Sequence, residues 1–579
     1  MRSDDQATEA LLIAHLFDSP DDGAAWLVYG DCLQRRGDPR GELITLEHAA
    51  RQTADPAERG RLAAAHTRLL EACRPALAGA LARRKEVDLD WAWGHVVHAK
   101  LSRAEDLRAL LALPCGALLR SVTLHLPKDA LEGFLALLKP TPVTTLAIHG
   151  GVDARGMAAL AASPPPGLNS LVLAWCGVGD EGARVLGRAE SLESLTHLDL
   201  SCNAVGAKGA GAIAGAKHLR ALAHLDLSNN RVGVDGTLAL TSTTHLPALT
   251  HLDLRGNSIC DEGAKVFAKA VNLSALTHLN LGGNNLGSRG LKALLANHLP
   301  ALVSLDLSCN RIDAEGGRLF SDTRNLPGLR RLDLRNNELG DQGARGLARA
   351  EHLGALVQLD LGNNGIGAAG GRALAAARHL EALAGLSLSR NNLGDQGARA
   401  IGRSAHLAAL AALDLSDNSI TDEGARGVAG ADHLPLLTHL DLRDNHVGPP
   451  GVRALAESGA LGALTRLGLG NNRVGNGGAR AIAKTESFGR LTHLHLRSNA
   501  IGDRGAMAIA KSVHLEALTH LDLSDNSIRA GGAQALASSE HLTALLHLDL
   551  RGNSFHKRVV KATKVKDVLT GPRGGGVLE

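Results

Sequence analysis

LTHLDLSCN at residues 195–203 is followed by LAHLDLSNN at 222–230, LTHLDLRGN at 249–257 and LTHLNLGGN at 276–284. The same pattern, LxxLxLxxN, starts again at Leu302, Leu329, Leu356, Leu383, Leu410, Leu437, Leu464, Leu491, Leu518 and Leu545. Every step is 27 residues except that from Leu276 to Leu302, which is 26. Fourteen units in register over some 360 residues define a repeat architecture. One such unit cannot bury its own apolar faces, so its stability comes from its neighbours. An earlier unit, LNSLVLAWC from Leu168, puts Cys176 where Asn stands elsewhere. Looser units from Leu119 (LRSVTLHL) and Val143 (VTTLAIHG) read as atypical capping turns.

Within LTHLDL the alternation sends Leu198 and Leu200 into a core and His197 and Asp199 out of the same strand. Parallel strands of successive units lie about 4.8 Å apart, so about 17 units predict an inner arc of roughly 80 Å. The Asn that ends each unit turns inward, where its amide satisfies backbone groups of adjacent turns. Stacked, these residues predict a structural ladder: Asn203, Asn230, Asn257, Asn284, Asn310, Asn337, Asn364, Asn391, Asn418, Asn445, Asn472, Asn499, Asn526 and Asn553. In the second half of a unit, Asp395 stands where a helix N-cap would, and Gly397 permits close approach of helix and sheet. Ala398, Ile401 and Leu407 supply a slim apolar stripe.

These units resemble the leucine-rich repeat family. Their second halves, GVGDEGARVLGRA (177–189), NLGDQGARAIGRS (392–404) and SITDEGARGVAGA (419–431), resemble its ribonuclease-inhibitor-like subfamily. The resemblance implies an α/β solenoid, a curved horseshoe with parallel β-strands on the concave face and α-helices on the convex face. Residues 1–75 are not repeat-like and read as helices. Leu11–Leu12, Pro20–Asp22, Tyr29, Asp31, Leu33, Gly37–Asp38, Arg40–Glu42 and Ile44 resemble the repeat-companion domain that precedes leucine-rich repeats in bacterial proteins. That domain usually carries Trp where Cys32 stands. Residues 76–118 form a transition segment in which WAWGHVVHAKLS (91–102) caps the array. The repeats run over 119–556. Residues 557–579 hold a basic stretch (Lys557, Arg558, Lys561, Lys564, Lys566) and a Gly-rich tail, with Val559, Val560, Val565, Val568 and Leu569 expected inward.

Composition fits layered aliphatic packing. Aromatics are 2% of the 579 residues while apolar residues are 44%, and 67 Gly outnumber 18 Pro. That excludes a disordered chain or a proline-rich linker. The net charge of +3 gives no bulk electrostatic reason to expect a nucleic acid or a polybasic partner. Seven scattered Cys (32, 73, 115, 176, 202, 260, 309) make neither a disulfide framework nor a CxxC metal pair. The opening MRSDDQATEALL lacks the cations and apolar run of a signal peptide, and no stretch approaches the roughly 18 apolar residues of a membrane span. A cytoplasmic protein is expected.

Two patterns invite a chemical reading. Eight His share one column on the concave face (His197, His224, His251, His278, His439, His493, His520, His547), with ten Asp two residues on (199, 226, 253, 306, 333, 360, 414, 441, 522, 549). A metal site needs three or four converging ligands, whereas parallel columns are better explained by charge. Stacked carboxylates repel, and partly protonated imidazoles beside them would relieve this. A second His column (His218, His245, His298, His352, His379, His406, His433, His514, His541) repeats with the fold and reads as structural. G-x-S-x-G, HExxH and GxxxxGK[ST] are absent, so neither catalysis nor a cofactor is expected.

The expectation is a non-catalytic scaffold that binds a protein. Its alternative is a regulator of a GTPase or of another enzyme, since Ran GTPase-activating proteins share this repeat type. The binding surface is expected where the uniform columns break. Ser304, Arg331, Gln358, Gly385 and Ala412 replace the His, and Arg335 and Arg390 add planar donors nearby. The candidate partner-binding residues are Arg331, Asp333, Arg335, Gln358, Asp360, Arg390 and Asp414.

Overall fold

A computed structural model describes residues 3–126, 130–152, 154–268, 270, 273–430, 433–560, 565 and 567–570. The chain divides into two compact units, residues 1–257 and 258–579.

The first unit opens with four helices, α1 (Ser3–Asp18), α2 (Gly23–Gln34), α3 (Arg40–Gln52) and α4 (Pro56–Ala78). An antiparallel hairpin follows, β1 (Asp88–Ala92) and β2 (His95–Leu101), turning through Trp93 (φ 53°) and Gly94 (φ 70°). Left-handed φ at both central residues is what a tight two-residue hairpin turn requires. From β2 the pairing becomes parallel, through β3 (Ser121–His125), β4 (Thr145–His149), β5 (Ser170–Val172), β6 (His197–Asp199), β7 (His224–Asp226) and β8 (His251–Asp253). Helices α5 (Ala104–Leu111), α6 (Leu131–Leu138), α7 (Ala154–Ala162), α8 (Gly179–Leu186), α9 (Ala207–Ala214) and α10 (Gly233–Ser242) alternate with these strands.

Buried side chains hold α1–α4 against this hairpin. Trp26 stacks on Trp93 with centroids 4.9 Å apart, in a core shared with Leu16, Tyr29, Leu33, Ile44 and Leu118. Arg40, only 3% exposed, grips Asp38 through Nε and Nη2 and donates from Nη1 to the Pro114 carbonyl at 3.1 Å. Arg120, at the start of β3, donates to the Leu16 and Phe17 carbonyls that end α1.

In the second unit α11 (Cys260–Phe267), α12 (Ser288–Leu295), α13 (Ala314–Asp322), α14 (Gly340–Leu347), α15 (Ala368–Ala375), α16 (Gly394–Gly402), α17 (Asp422–Ala429), α18 (Pro449–Ala456), α19 (Gly475–Lys484), α20 (Asp503–Ala510) and α21 (Ala530–Ala537) alternate with three-residue strands. These strands are β9 (His278–Asn280), β10 (Ser304–Asp306), β11 (Arg331–Asp333), β12 (Gln358–Asp360), β13 (Gly385–Ser387), β14 (Ala412–Asp414), β15 (His439–Asp441), β16 (Arg466–Gly468), β17 (His493–His495), β18 (His520–Asp522) and β19 (His547–Asp549). All are parallel, and the middle Leu of each pairs with the middle Leu of the next. Helices α13 and α14 meet backbone to backbone. A Cβ on Gly317 would lie 2.3 Å from the Gly343 Cα.

Each ladder Asn reaches both ways. Asn391 donates Nδ2 to the Leu361 carbonyl 30 residues earlier (2.9 Å) and to Leu388 and Ser389 of its own turn. Its Oδ1 accepts the Asn364 and Ile366 N–H groups. Cys176 plays a reduced version of this part, its thiol meeting the Ile148 carbonyl at 3.0 Å.

Two sequence expectations fail in detail. Asp395 does not cap its own helix, because α16 already starts at Gly394 (φ 54°). Instead Oδ1 accepts from Thr421 N (2.7 Å) and Gly424 N (2.9 Å), the orphaned donors at the start of α17 in the next repeat. Asp180, Asp261, Asp341, Asp422, Asn476 and Asp503 do the same for α9, α12, α15, α18, α20 and α21. Gly397 likewise serves the helix layer rather than the sheet, since a Cβ there would meet Leu393 at 2.8 Å and the Ala368 backbone at 3.5 Å. Asp395→Ala should therefore destabilise the second unit by about 1 kcal/mol in denaturant melts. Asp395→Asn should retain most of the effect, as Asn476 does naturally. A cost for neither would show the inter-repeat cap to be energetically idle.

At the C-terminal end β20 (Asp567–Leu569) adds a parallel strand to β19. Val560 is buried, but Leu569 is 39% exposed, against the inward expectation, because its register sets it beside Asp549 on the open face. Lys561, Lys564, Lys566 and the Gly-rich tail lie outside the described residues, as does the side chain of Lys557.

Candidate partner-binding groove on the sheet face

The first and third residues of each strand share the open face, and the middle Leu is buried. Two kinds of surface result. At His197, His224 and His251 in the first unit, neighbouring rings stack with centroids 4.0 and 3.9 Å apart. His493, His520 and His547 in the second stack at 4.2 and 4.4 Å. Where a Thr precedes the His, it orients the ring. Thr438 Oγ1, for example, donates to the Ala411 carbonyl and so receives Nδ1–H of His439 at 2.7 Å. That leaves Nε2 as an acceptor.

Four of the column imidazoles do not relieve the carboxylates by charge. Burial and the like charges of His520 and Arg466 push His493 down to about 4, and burial lowers His278, His439 and His520. These four are mainly neutral near pH 7. The Asp column carries the cost instead. Burial, with Asp306 and Asp360 on either side, raises Asp333 to about 6 although the Arg335 N–H opposes this. Burial also raises Asp226 and Asp414. Among the described residues no three His, Cys, Asp or Glu side chains converge as metal ligands would.

Between the His-bearing strands of the second unit the face opens into a groove of about 600 Å³. Arg331, Asp333, Gln358, Asp360 and Asp414 line it, together with Ser304, Gly385 and Ala412. Gly385 and Ala412 pair directly across β13 and β14, so two adjacent strands present almost no side chain there. Arg335 is not in the lining. It holds Asp333 from the side, Nε to Oδ2 3.2 Å. Arg390 (φ 54°) stands at the rim and lines an adjoining polar hollow of about 810 Å³ with Asp417, Arg443 and Asp444. The groove also contains Asp441, Arg443 and Arg466, which the sequence reading passed over. The signal was available for Arg466, which breaks the His column as visibly as Arg331 does.

The Leucine Rich repeat family model matches residues 168–187, 191–214, 245–268, 273–295, 298–321, 327–348, 356–375, 385–402, 410–429, 433–456, 491–510 and 514–537. An internalin (inlF) from Listeria monocytogenes is similar at 20% identity and TM-score 0.41, over 69% of this chain and 95% of that one. The TLR13–ssRNA13 complex is similar at 18% identity and TM-score 0.43, over 84% and 78%. The plant peptide hormone receptor RGFR1 in complex with RGF2 is similar at 16% identity and TM-score 0.29, over 81% and 87%. No curated protein matches the chain.

Proposed function

This chain is a leucine-rich-repeat protein, and we propose that it is a non-catalytic scaffold that binds a protein partner in the groove of its second unit. The partner residues in this reading are Arg331, Asp333, Gln358, Asp360 and Asp414, with Arg335 bracing Asp333 and Arg390 at the rim. One observation carries it: the place where the His column gives way is also a hollow of about 600 Å³. Uniform His–Asp strands offer any partner the same surface, whereas this stretch offers a distinct shape and exposed arginines. Helices eight to ten residues long between the strands favour the ribonuclease-inhibitor-like branch of the family. The Trp26, Asp38 and Arg40 contacts favour a companion-type segment at residues 1–75. Among the described residues no helix is long and apolar enough to cross a membrane, and a cytoplasmic location belongs to the same proposal.

Affinity capture with mass spectrometry would identify the partner. Arg331→Ala combined with Arg335→Ala should then weaken its binding about tenfold, about 1.4 kcal/mol. His224→Ala with His251→Ala, in the monotonous part of the first unit, should change little. Equal capture by both double variants would move the site to the helix side or to residues 1–75.

A further inference from the structure

The charges in the groove are arranged by position. Arg331 on β11 and Arg466 on β16 are exposed near its two ends, five strand steps or about 24 Å apart, with Asp306 and His495 one strand farther out. Among the described residues neither forms an ion pair, whereas Arg335 and Arg443 are committed to Asp333 and Asp441. Between the ends lie Asp360 and Asp414. Each uses Oδ1 on its own turn, accepting Gly362 N and Ser416 N, and neither is paired with a cation among the described residues. Gly385 and Ala412 leave the space between these carboxylates open to a main chain. The groove therefore reads plus, minus, open bay, minus, plus.

We propose that the groove receives an extended polypeptide segment of about seven residues with the order acid–x–base–x–base–x–acid. The proposal rests on the reading that the groove is the partner site and adds the chemistry of the partner. Extended chain rises about 3.4 Å per residue, and alternate side chains point the same way. A first acid at Arg331 puts the third residue about 7 Å along, against Asp360 one strand step away. The fifth residue falls at about 14 Å, against Asp414 at three steps. The seventh, at about 20 Å, comes within side-chain reach of Arg466. The fourth residue faces outward, so its backbone passes over Gly385 and Ala412, where side chains would block it. A nucleic acid fits poorly, because its phosphates would run along the carboxylates. Burial, with a smaller contribution from neighbouring carboxylates, has already raised Asp333 and Asp414, and a bound cation would offset the carboxylate repulsion.

The probe is a fluorescein-labelled, end-capped peptide Glu-Ala-Lys-Ala-Arg-Ala-Glu, titrated with the full chain by anisotropy at low salt. Saturable binding below ~1 mM is expected. Asp360→Asn with Asp414→Asn should weaken it about tenfold, and Arg331→Ala with Arg466→Ala by a similar factor. Gly385→Leu, which fills the bay, should abolish it. The exposed site makes these variants compatible with folding, to be checked by identical melts. The charge-reversed peptide Lys-Ala-Glu-Ala-Asp-Ala-Lys and a twelve-nucleotide oligo(dT) should not compete. No saturation, or equal binding of the reversed peptide or of the oligonucleotide, would overturn the proposed partner chemistry. Partner capture with Gly385→Leu separates the two readings. If capture is lost while the probe fails to bind, the groove stands as the site and the peptide pattern falls. If capture is unchanged, the site itself is wrong.

Discussion

Asn364→Leu should destabilise the second unit by about 3 kcal/mol, while the same change at Asn553 should cost about 1 kcal/mol. The two residues make matching sets of bonds, which makes the comparison informative. Asn364 donates to the Leu334, Leu361 and Gly362 carbonyls, and Asn553 to those of Leu523, Leu550 and Arg551. Each accepts one backbone N–H of the preceding repeat, from Leu339 and Ile528 respectively. They differ in burial, Asn364 being 2% exposed and Asn553 only half-buried. Leu has the branched skeleton of Asn but bulkier methyl groups, so at position 364 overpacking adds to the cost of the lost hydrogen bonds. At position 364 no water can replace the amide; at 553 it can. Urea melts, with hydrogen exchange at the Leu339 amide as a local readout, should show the difference. Equal losses at both sites would mean that the ladder contributes specificity of register rather than stability.

Arg40→Ala should cost the first unit about 3 kcal/mol. Arg40 is the buried centre of a cluster that joins α1–α4 to the hairpin. Burial tends to raise the Asp38 carboxyl, but hydrogen bonds from the Arg40 side chain and backbone outweigh it and hold Asp38 below its ordinary value. Burial and the Arg40 charge press His95 down to about 3, so this ring is neutral near pH 7. Without Arg40, Asp38 loses its counter-ion and the Pro114 carbonyl loses its donor. The pH dependence distinguishes this from simple loss of packing. A carboxyl lowered by folding stabilises above its unfolded value near 4 and loses that contribution as acid protonates it. Wild type should therefore lose stability below about pH 4 more steeply than Arg40→Ala. Parallel acid profiles would show that the ion pair is not what Arg40 contributes.

The strand layer was legible because its signal is local and repeated. Leu198 and Leu200 sit two residues apart, and the alternation alone assigns both to the core. Asp395 was misread for the opposite reason. Its hydrogen bonds go to residues 26 and 29 positions away, and a Ser/Thr/Asp before an apolar run looks the same whichever helix it caps. Nor could period reveal the β1–β2 hairpin. It occurs once, and Trp93 gives no warning that it adopts a left-handed φ. At the groove the sequence shows each break in the His column, but not which breaks share a hollow. Arg331 and Arg335 are neighbours in sequence, yet one faces the groove and the other is turned to Asp333. Arg466 is 135 residues from Arg331 and joins it only because the two strands are five parallel steps apart, with four strands between.

The caps handed from repeat to repeat also give the fold a direction. The carboxylate that waits for α17 belongs to α16 and so leaves the ribosome first, 26 residues ahead of Thr421. In the second unit α12, α15, α17, α18, α20 and α21 find their anchor already laid, and the Asn that follows reaches back to close carbonyls left open by the preceding turn. Shortening the second unit from its C-terminal end would leave every remaining α16-to-α17 kind of cap in place. Shortening it from the other end would strip the first surviving helix of its carboxylate. For these helices the order of synthesis is matched by which residue caps which.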